Sequence, residues 1–463
     1  MESLSWGYEM LFKLALGNVR RSAHDFSVYF LTLVLAVCLL YSFLASNGYL
    51  LALDLTSEQR ANFAQAGGVL EAFAVFVAVI FAFLIGYANV FLLRRRRREF
   101  GLYELLGMGQ ARVSAVLALE SGMVGLASLI AGVGLGGLLS PAFGLVAAFV
   151  FGVAWHPVMT FSPDAAAQTL AAFAAIMVVA AVRAVRSVRK RTLVELMRSD
   201  HAPERRRLVG TRPVRLQQAA AAVLLAVVWG TCLFNPGYFV VFIIPMGFIA
   251  LGGTYFLFRV LGARVPERLR RHPEGYWCGL RLFTVRQVEA RIESGCAALA
   301  AVCVLMAAGM CMVVAGLTFS VGLREGALFG SVQTGLEPIA FACIFYGAAF
   351  LVCAAAVLAL QQLSQASDSV AAYGVLDRLG AERSMVRASI RSQVAISFAV
   401  PGVMACVHCV FGFVLIGVLT VLSGSVGYLS FVAGTVFLTA ATFAVYGAVT
   451  SRACSRTLLP QRR

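Results

Sequence analysis

The sequence predicts an all-α polytopic membrane protein with ten transmembrane helices, arranged as two four-span modules joined by a two-span hairpin. Three observations lead to this fold class. The 463-residue chain is 60% hydrophobic and only 13% charged, whereas soluble domains contain about 45–50% apolar and about 25% charged residues. Its apolar residues are concentrated in runs long enough to cross a bilayer. Two short stretches of the first half also recur in the second half.

The transmembrane spans follow from the length of the apolar runs, because a helix needs about 20 apolar residues to cross a bilayer. In chain order the predicted spans are 26–46, 69–93, 113–138, 165–187, 217–234, 238–258, 296–319, 339–361, 392–421 and 428–450. Pro141 interrupts the long apolar stretch 113–153, since proline breaks the helical ladder. We interpret 139–153 as an outer extension of the third span or as a re-entrant segment.

The distribution of positive charge sets the orientation, because arginine and lysine accumulate on the cytoplasmic side. With both termini in the cytoplasm, only Arg60 and Arg324 of the 38 lysines and arginines fall in predicted outer segments. The other 36 lie in predicted cytoplasmic segments or at the inner ends of spans. Topology therefore explains the net charge of +16, and we expect the lipid bilayer, rather than nucleic acid, as the partner of these charges. The predicted topology anchor after the second span consists of Arg94, Arg95, Arg96, Arg97 and Arg98.

An internal repeat defines the domains. The stretch "EFGLYELLGMGQ" at 99–110 aligns with "AYGVLDRLGAER" at 372–383, and "GNVRR" at 17–21 resembles "FTVRQ" at 283–287. The predicted domains are a first four-span module at 1–200, a linker with the two-span hairpin at 201–274, and a second four-span module at 275–463. Each longer stretch is predicted to form a short helix parallel to the membrane. Gly107 and Gly380 are suited to end it, because glycine adopts the left-handed cap. The helical periodicity fits two interpretations equally well: a short helix that transmits force between two spans, and a simple turn that only connects them.

Three signals inside the spans have structural interpretations. Gly132 and Gly136 predict close helix packing, because small residues four apart let two helices approach. An ionisable residue inside a membrane is a functional candidate. For Glu120, however, an ion pair with a residue such as Arg112, or an approach to the inner interface, is the favoured reading. Cys406, His408 and Cys409 lie within one helical turn, but a metal site needs further ligands, so no metal site is predicted.

Neither catalysis nor nucleotide binding is predicted in this chain. No Ser-His-Asp set and no paired carboxylates converge on a readable site. A phosphate-binding loop of the G-x-x-x-x-G-K-[ST] type needs a lysine, and the only lysines, Lys13 and Lys190, lie in other contexts. We therefore expect no catalytic residue and no cofactor in this chain.

Taken together, these motifs resemble the FtsX-like permease family of ABC transporters. The resemblance is carried by "RRRRREFGLYELLGMGQARVSAVLALES" at 94–121, its copy at 371–393, "LALGNVRRS" at 14–22 and "RKRTLVELMRS" at 189–199. The ten-span order is similar to the bacitracin-resistance type of permease, without the large extracellular domain of that type, because the loop between the seventh and eighth predicted spans covers only 320–338. The macrolide-exporter type carries its large domain after the first span, where this chain has only 47–68.

The resemblance implies a separate ABC ATPase, present as a dimer, that binds ATP and magnesium and docks on the cytoplasmic turns. The residues expected to couple to it are Glu99, Phe100, Gly101, Leu102, Tyr103, Leu106, Gly107, Tyr373, Gly374, Leu376, Leu379 and Gly380. Phe100, Tyr103 and Tyr373 are expected to be the main contact side chains, because aromatic residues anchor interfaces.

The expected function is therefore that of a non-enzymatic permease subunit in the cell membrane. It would couple ATP hydrolysis on the partner to movement of an amphipathic or hydrophobic substrate. Two alternatives stay open: a membrane regulator that relays force to an envelope partner, and an ion-driven secondary transporter. The substrate, the direction of transport and the oligomeric state are not specified by the sequence.

Overall fold

The structure, a computed structural model, shows helices throughout the part of the chain that it describes. The described residues are 2–21, 23–45, 57, 61, 81–82, 85–86, 88–89, 92–93, 96–151, 154, 159, 161–189, 211–271, 277, 279–324, 337–422 and 428–458. The helices within them are α1 Glu2–Arg21, α2 Ala23–Leu44, α3 Arg97–Leu105, α4 Gln110–Leu138, α5 Ser140–Phe151, α6 Pro163–Arg189, α7 Thr211–Phe234, α8 Pro236–Val241, α9 Ile243–Arg270, α10 Arg281–Arg324, α11 Glu337–Arg378, α12 Arg383–Leu422 and α13 Tyr428–Leu458. No strand occurs in these residues. The predicted all-α polytopic membrane fold is confirmed.

Eight helices in the described residues are long and apolar enough to cross a membrane. They correspond one to one with the third to tenth predicted spans. The first predicted span lies in α2, whose apolar part is the 16-residue stretch Tyr29–Leu44. The second, 69–93, lies largely outside the described residues. The count of ten therefore stays a prediction.

The third span ends where Pro141 predicted a break. Helix α4 stops at Leu138, and α5 begins at Ser140 with the proline in its first turn, where a missing N–H costs nothing. At 12 residues, α5 is too short to cross a bilayer as a helix, which needs about 20 residues. Residues 140–151 are thus a separate short helix after the third span.

The chain divides into two compact units, Met1–Arg207 and Leu208–Arg463. In the first unit, α2 packs along α4 at Gly132 and Gly136. A Cβ atom added at Gly132 would lie 2.6 Å from the Cβ of Val37, and one at Gly136 would lie 2.7 Å from the Cδ1 of Tyr41. The close helix packing predicted for these two glycines is confirmed.

In the second unit, the hairpin packs on the second module. Helix α9 lies against α10, and α7 lies against α12. At the C-terminal end of α9, the guanidinium of Arg270 donates to both carboxylate oxygens of Glu289 at 2.8 and 3.1 Å. The hairpin and the second module therefore lie in one compact unit, and the predicted domain boundaries at 200 and 274 stay a prediction.

Helices α10 and α11 extend well beyond the bilayer. Their 44 and 42 residues correspond to about 66 and 63 Å at 1.5 Å per residue, against about 30 Å for the hydrocarbon core. The second copy of the repeated stretch consequently forms the last turns of α11. The prediction of a separate short helix there is wrong, because α11 runs without interruption from Glu337 to Arg378.

Candidate functional site

The repeated stretch in the first unit forms α3 and a glycine-capped turn. Gly107 has a φ of 88°, in the left-handed region that glycine adopts without a steric penalty. Its N–H donates to the carbonyl of Glu104 at 3.0 Å, and the N–H of Met108 donates to the carbonyl of Tyr103 at 2.9 Å. These two bonds define a Schellman motif, which satisfies the last carbonyls of a helix.

The second copy ends in the same motif. Gly380 has a φ of 76°, and its N–H donates to the carbonyl of Asp377 at 3.1 Å. The N–H of Ala381 donates to the carbonyl of Leu376 at 3.0 Å. The helix-ending role predicted for Gly107 and Gly380 is confirmed, and the two stretches share a turn with identical hydrogen bonding.

The aromatic residues of the two stretches face inward. Phe100 is 1% exposed and Tyr373 is 3% exposed. Phe100 lies in a cluster with Leu93, Val113, Leu117 and Ala184. Since a buried side chain cannot present itself to another subunit, the prediction that Phe100 and Tyr373 are principal contact residues is wrong. Tyr103 is half-buried and packs against the cluster of Phe100.

Leucines and a valine form the outward face instead. In the first copy, Leu102 is 52% and Leu106 is 76% exposed; in the second copy, Val375 is 53% and Leu379 is 76% exposed. Val375 occupies the position of Leu102 in the alignment, and Leu379 that of Leu106. The pair in each copy, Leu102 with Leu106 and Val375 with Leu379, is called the exposed ridge of that copy below.

The other predicted coupling residues are distributed between the two faces. Gly101 is buried, Leu376 is half-buried, and Gly107, Gly374 and Gly380 are exposed. The side chain of Glu99 is 43% exposed and pairs with Arg96. Leu105 and Val375, 54% and 53% exposed, were absent from the sequence prediction, although their helical spacing from Leu102 and Leu379 could have indicated them.

One arginine of the predicted anchor is enclosed by protein. Arg96 is 1% exposed, and its guanidinium pairs with the carboxylate of Glu120, which is itself fully buried. Its Nε also donates to Glu99 at 2.8 Å, and its guanidinium carbon lies 5.5 Å from the ring centroid of Phe100. The partner of Glu120 is therefore Arg96 rather than Arg112. Arg94 and Arg95, and the side chains of Arg97 and Arg98, lie outside the described residues.

A hydrogen-bonded chain connects this ion pair to the N-terminal helix. The amide of Asn18, in α1, donates to Glu120 at 2.7 Å, and the hydroxyl of Tyr103 donates to the Asn18 oxygen at 3.2 Å. Burial lowers the pKa of Arg96, but its contacts with Glu120 and Glu99 outweigh that effect and leave the pKa above its usual value. The guanidinium thus stays charged, and the contacts among Arg96, Glu120, Asn18 and Tyr103 join α1, α3 and α4.

The second unit carries a neutral network at corresponding positions. Gln393, which corresponds to Glu120, donates from its amide to the hydroxyl of Tyr373 at 2.9 Å and to that of Ser389 at 3.1 Å. The Ser389 hydroxyl lies 2.7 Å from that of Thr284, which corresponds to Asn18. Phe283 contacts Tyr373 edge to face, with ring centroids 5.1 Å apart.

The burial pattern of the third span repeats in the same register. The buried positions at the start of α4 include Val113, Val116, Leu117, Glu120 and Ser121, and those at the start of α12 include Val386, Ser389, Ile390, Gln393 and Val394. Each α12 residue lies as many positions after the matching α4 residue as Tyr373 lies after Phe100. The repeat is therefore structural as well as sequential.

His408 belongs to helix packing within the second unit. The indole N–H of Trp229 donates to its Nδ1 at 3.2 Å, and its Nε2 lies 2.9 Å from the Thr254 hydroxyl. Since an indole can only donate, Nδ1 accepts and Nε2 carries the hydrogen. Cys409 is buried and Cys406 is exposed. Both ring nitrogens of His408 are thus engaged with the hairpin, and the absence of a metal stays a prediction.

Comparison with known proteins finds similarity to ABC transporter permeases. Residues 71–193 match the model of the FtsX-like permease C-terminal domain. The chain is 24% identical over 284 residues to an uncharacterised ABC transporter permease, YvcS, of Bacillus subtilis, covering 61% of this chain and 42% of YvcS. It is 26% identical over 192 residues to the bacitracin export permease protein BceB of Bacillus subtilis, covering 42% of this chain and 29% of BceB.

A second bacitracin export permease protein BceB, from Halalkalibacterium halodurans, is 22% identical over 289 residues, which cover 61% of this chain and 44% of that protein. The chain spans less than half the length of each of these curated relatives. The resemblance predicted from the sequence is nevertheless confirmed: residues 71–193 match the FtsX-like permease model, and the chain is a multi-pass membrane protein similar to ABC transporter permeases.

Proposed function

We propose that the chain is the transmembrane subunit of an ABC transporter, coupling ATP hydrolysis on a separate ATPase to export or extraction of an amphipathic or hydrophobic substrate. The observation that carries this proposal is the pair of matched turns, each ended by a glycine in a Schellman motif. Each turn presents a leucine with 76% of its surface exposed, Leu106 in one and Leu379 in the other. Two equivalent turns suit two copies of one ATPase.

The exposed ridge sets the chemistry of that partner. Exposed apolar side chains grouped on a turn outside the spans mark an interaction site. The positive-inside rule puts both turns in the cytoplasm, along with both termini. On each ATPase copy, a groove lined by apolar side chains would cover the exposed ridge of one turn, while ATP and magnesium would bind on the ATPase itself.

Each alternative function meets a specific obstacle. An ion-driven transporter needs paired charges within its spans. Two carboxylates stand out there: Glu120 is held by Arg96 and Asn18, and Glu71 lies outside the described residues. A regulator that pulls on an envelope partner needs an outer surface to grip, and the longest predicted outer loop is 47–68. We therefore favour the permease subunit.

The decisive experiment is to purify the tagged chain from its native membrane in mild detergent and to identify bound proteins by mass spectrometry. An ABC ATPase should co-purify in stoichiometric amount, and its ATP hydrolysis should respond to vanadate. Recovery of the chain without any ATPase, under conditions that keep a known permease complex intact, would contradict the proposal.

A further inference from the structure

The two turns are held in place by different means. Helix α3 is a separate helix of nine residues, and Arg96 just before it has φ −101° and ψ 8°, outside the usual helical values. The second turn instead ends α11, a continuous helix of 42 residues. A helix as short as α3 is marginal by itself, so its position depends on contacts with neighbouring helices.

The contacts that hold each turn link the same three elements. The first joint, made of Asn18, Arg96 and Glu120, connects the helix before the first span, the cytoplasmic turn and the third span. The second joint, made of Thr284, Tyr373, Ser389 and Gln393, connects the corresponding parts of α10, α11 and α12.

The joints differ in charge. The first contains a guanidinium and a carboxylate with 1% and 0% of their side-chain surface exposed, and opposite charges shielded from water attract strongly. The second is built from hydroxyls and one amide, and Ser389 contacts both Thr284 and Gln393. Such neutral bonds are individually weak. The stronger joint therefore occurs where the backbone itself gives the turn less support.

We propose that Asn18, Arg96 and Glu120 are positioning residues that replace helix continuity: they fix α3 to the third span so that displacement of the exposed ridge reaches α4. In the second unit, α11 carries the displacement through its own backbone, and the neutral joint is dispensable. The source of the displacement rests on the proposed function, but the fixation of α3 does not.

The second unit supplies the residues for the test. The double substitution Arg96→Ser with Glu120→Gln installs the neutral residues found at Ser369 and Gln393. Hydrogen exchange of the purified chain in lipid nanodiscs should then become faster by about tenfold or more over 97–108 and stay unchanged over 370–381. The matched control, Ser389→Ala with Gln393→Ala, should change exchange over 370–381 by less than about threefold.

Unchanged exchange over 97–108 in the first variant, or equal acceleration at both turns by the two variants, would overturn the proposal. Should the double variant fail to insert, Asn18→Ala removes the hydrogen bonds that Asn18 makes with Glu120 and Tyr103 and leaves the Arg96–Glu120 pair in place. It should accelerate exchange over 97–108 by about threefold, and no acceleration there would overturn the proposal as well.

Stimulation of the ATPase by the chain is a second readout, and it would not change if these residues only stabilised the fold. In complexes with the co-purified ATPase, Arg96→Ser with Glu120→Gln should retain ATPase binding, because the exposed ridge is untouched, but lose vanadate-sensitive stimulation. Arg96→Lys keeps the charge and should restore most of it. Loss of binding together with stimulation would reject the positioning role, whereas a wild-type chain that binds no ATPase would reject only the proposed function.

Discussion

At Arg96 and Glu120, two opposite charges are removed from solvent together, so removing one of them leaves the other poorly compensated. We expect Arg96→Ala to lower the free energy of unfolding by about 3–5 kcal/mol, the usual cost of breaking a buried ion pair. The double change Arg96→Ala with Glu120→Ala should cost less than the sum of the single changes. Thermal unfolding in detergent measures this cycle, and Arg112→Ala at an exposed position is the control. Additive costs would contradict the pairing.

The polar contacts of His408 predict its metal chemistry. Both ring nitrogens have partners in the hairpin, Trp229 and Thr254, so neither has a lone pair free for a metal in this arrangement. Elemental analysis of purified protein should show no stoichiometric zinc or iron. A metal that is present in the wild-type protein and lost from Cys406→Ala with Cys409→Ala would contradict this prediction.

The burial of Arg96 could not be predicted from the sequence. A run of five arginines after an apolar segment predicts a topology anchor, but identical residues give no sign of which one turns inward. Arg96 is selected by the position of Glu120, a contact between residues 24 positions apart. Phe100 and Tyr373 carry a signal that could have been used: an aromatic residue kept in both copies on the apolar face is as well explained by a shared core.

At the scale of the element, the two glycine-capped turns should be equally sensitive to a side chain at the cap. Gly107→Ala and Gly380→Ala should each destabilise by about 1–2 kcal/mol, because a Cβ clashes in the left-handed region. Gly374→Ala is the matched control, since this glycine lies within a helix with open space around it and alanine favours helix by about 0.5–1 kcal/mol. The melting temperatures of the three variants test this prediction. Equal changes in melting temperature for all three would contradict the assignment of Gly107 and Gly380 as helix caps.

The glycine caps could be predicted because the Schellman motif depends on local sequence. Whether each turn forms a separate helix could not, because the answer depends on the preceding residues and on tertiary contacts. Around Arg96 the backbone leaves helical values, whereas α11 runs without interruption through Tyr373 to Arg378. Periodicity marks the apolar face of both stretches but does not show whether that face is covered by the same chain.

At the scale of the whole molecule, the orientation can be tested by cysteine labelling in a cysteine-depleted background. Single cysteines placed within 320–338 should react with an impermeant maleimide in intact cells, because the positive-inside rule puts this loop outside. Cysteines placed near residue 200 should react only after permeabilisation. Labelling near residue 200 in intact cells would contradict the predicted topology.

Hydropathy predicted the third to tenth spans because each is an apolar run long enough to cross a bilayer. The attachment of the hairpin to the second module was not predictable, since it depends on side chains far apart in the sequence, such as Trp229 with His408 and Arg270 with Glu289. Polar residues inside apolar helices do signal such contacts, but they do not name the partner.

Binding of the ATPase to the exposed ridge of each copy is tested most directly by removing the most exposed leucine of both ridges. Leu106→Ala with Leu379→Ala removes the two most exposed side chains of the ridges without touching Phe100, Tyr373 or the Arg96 ion pair. A pull-down of the partner ATPase at matched membrane expression should show binding weakened by about 2 kcal/mol or more if these are hot spots. Leu126→Ala with Ile130→Ala, on an exposed face of α4 within its span, should have no effect. Full retention of the ATPase and of its hydrolysis by the first variant would show that the turns are not the coupling site.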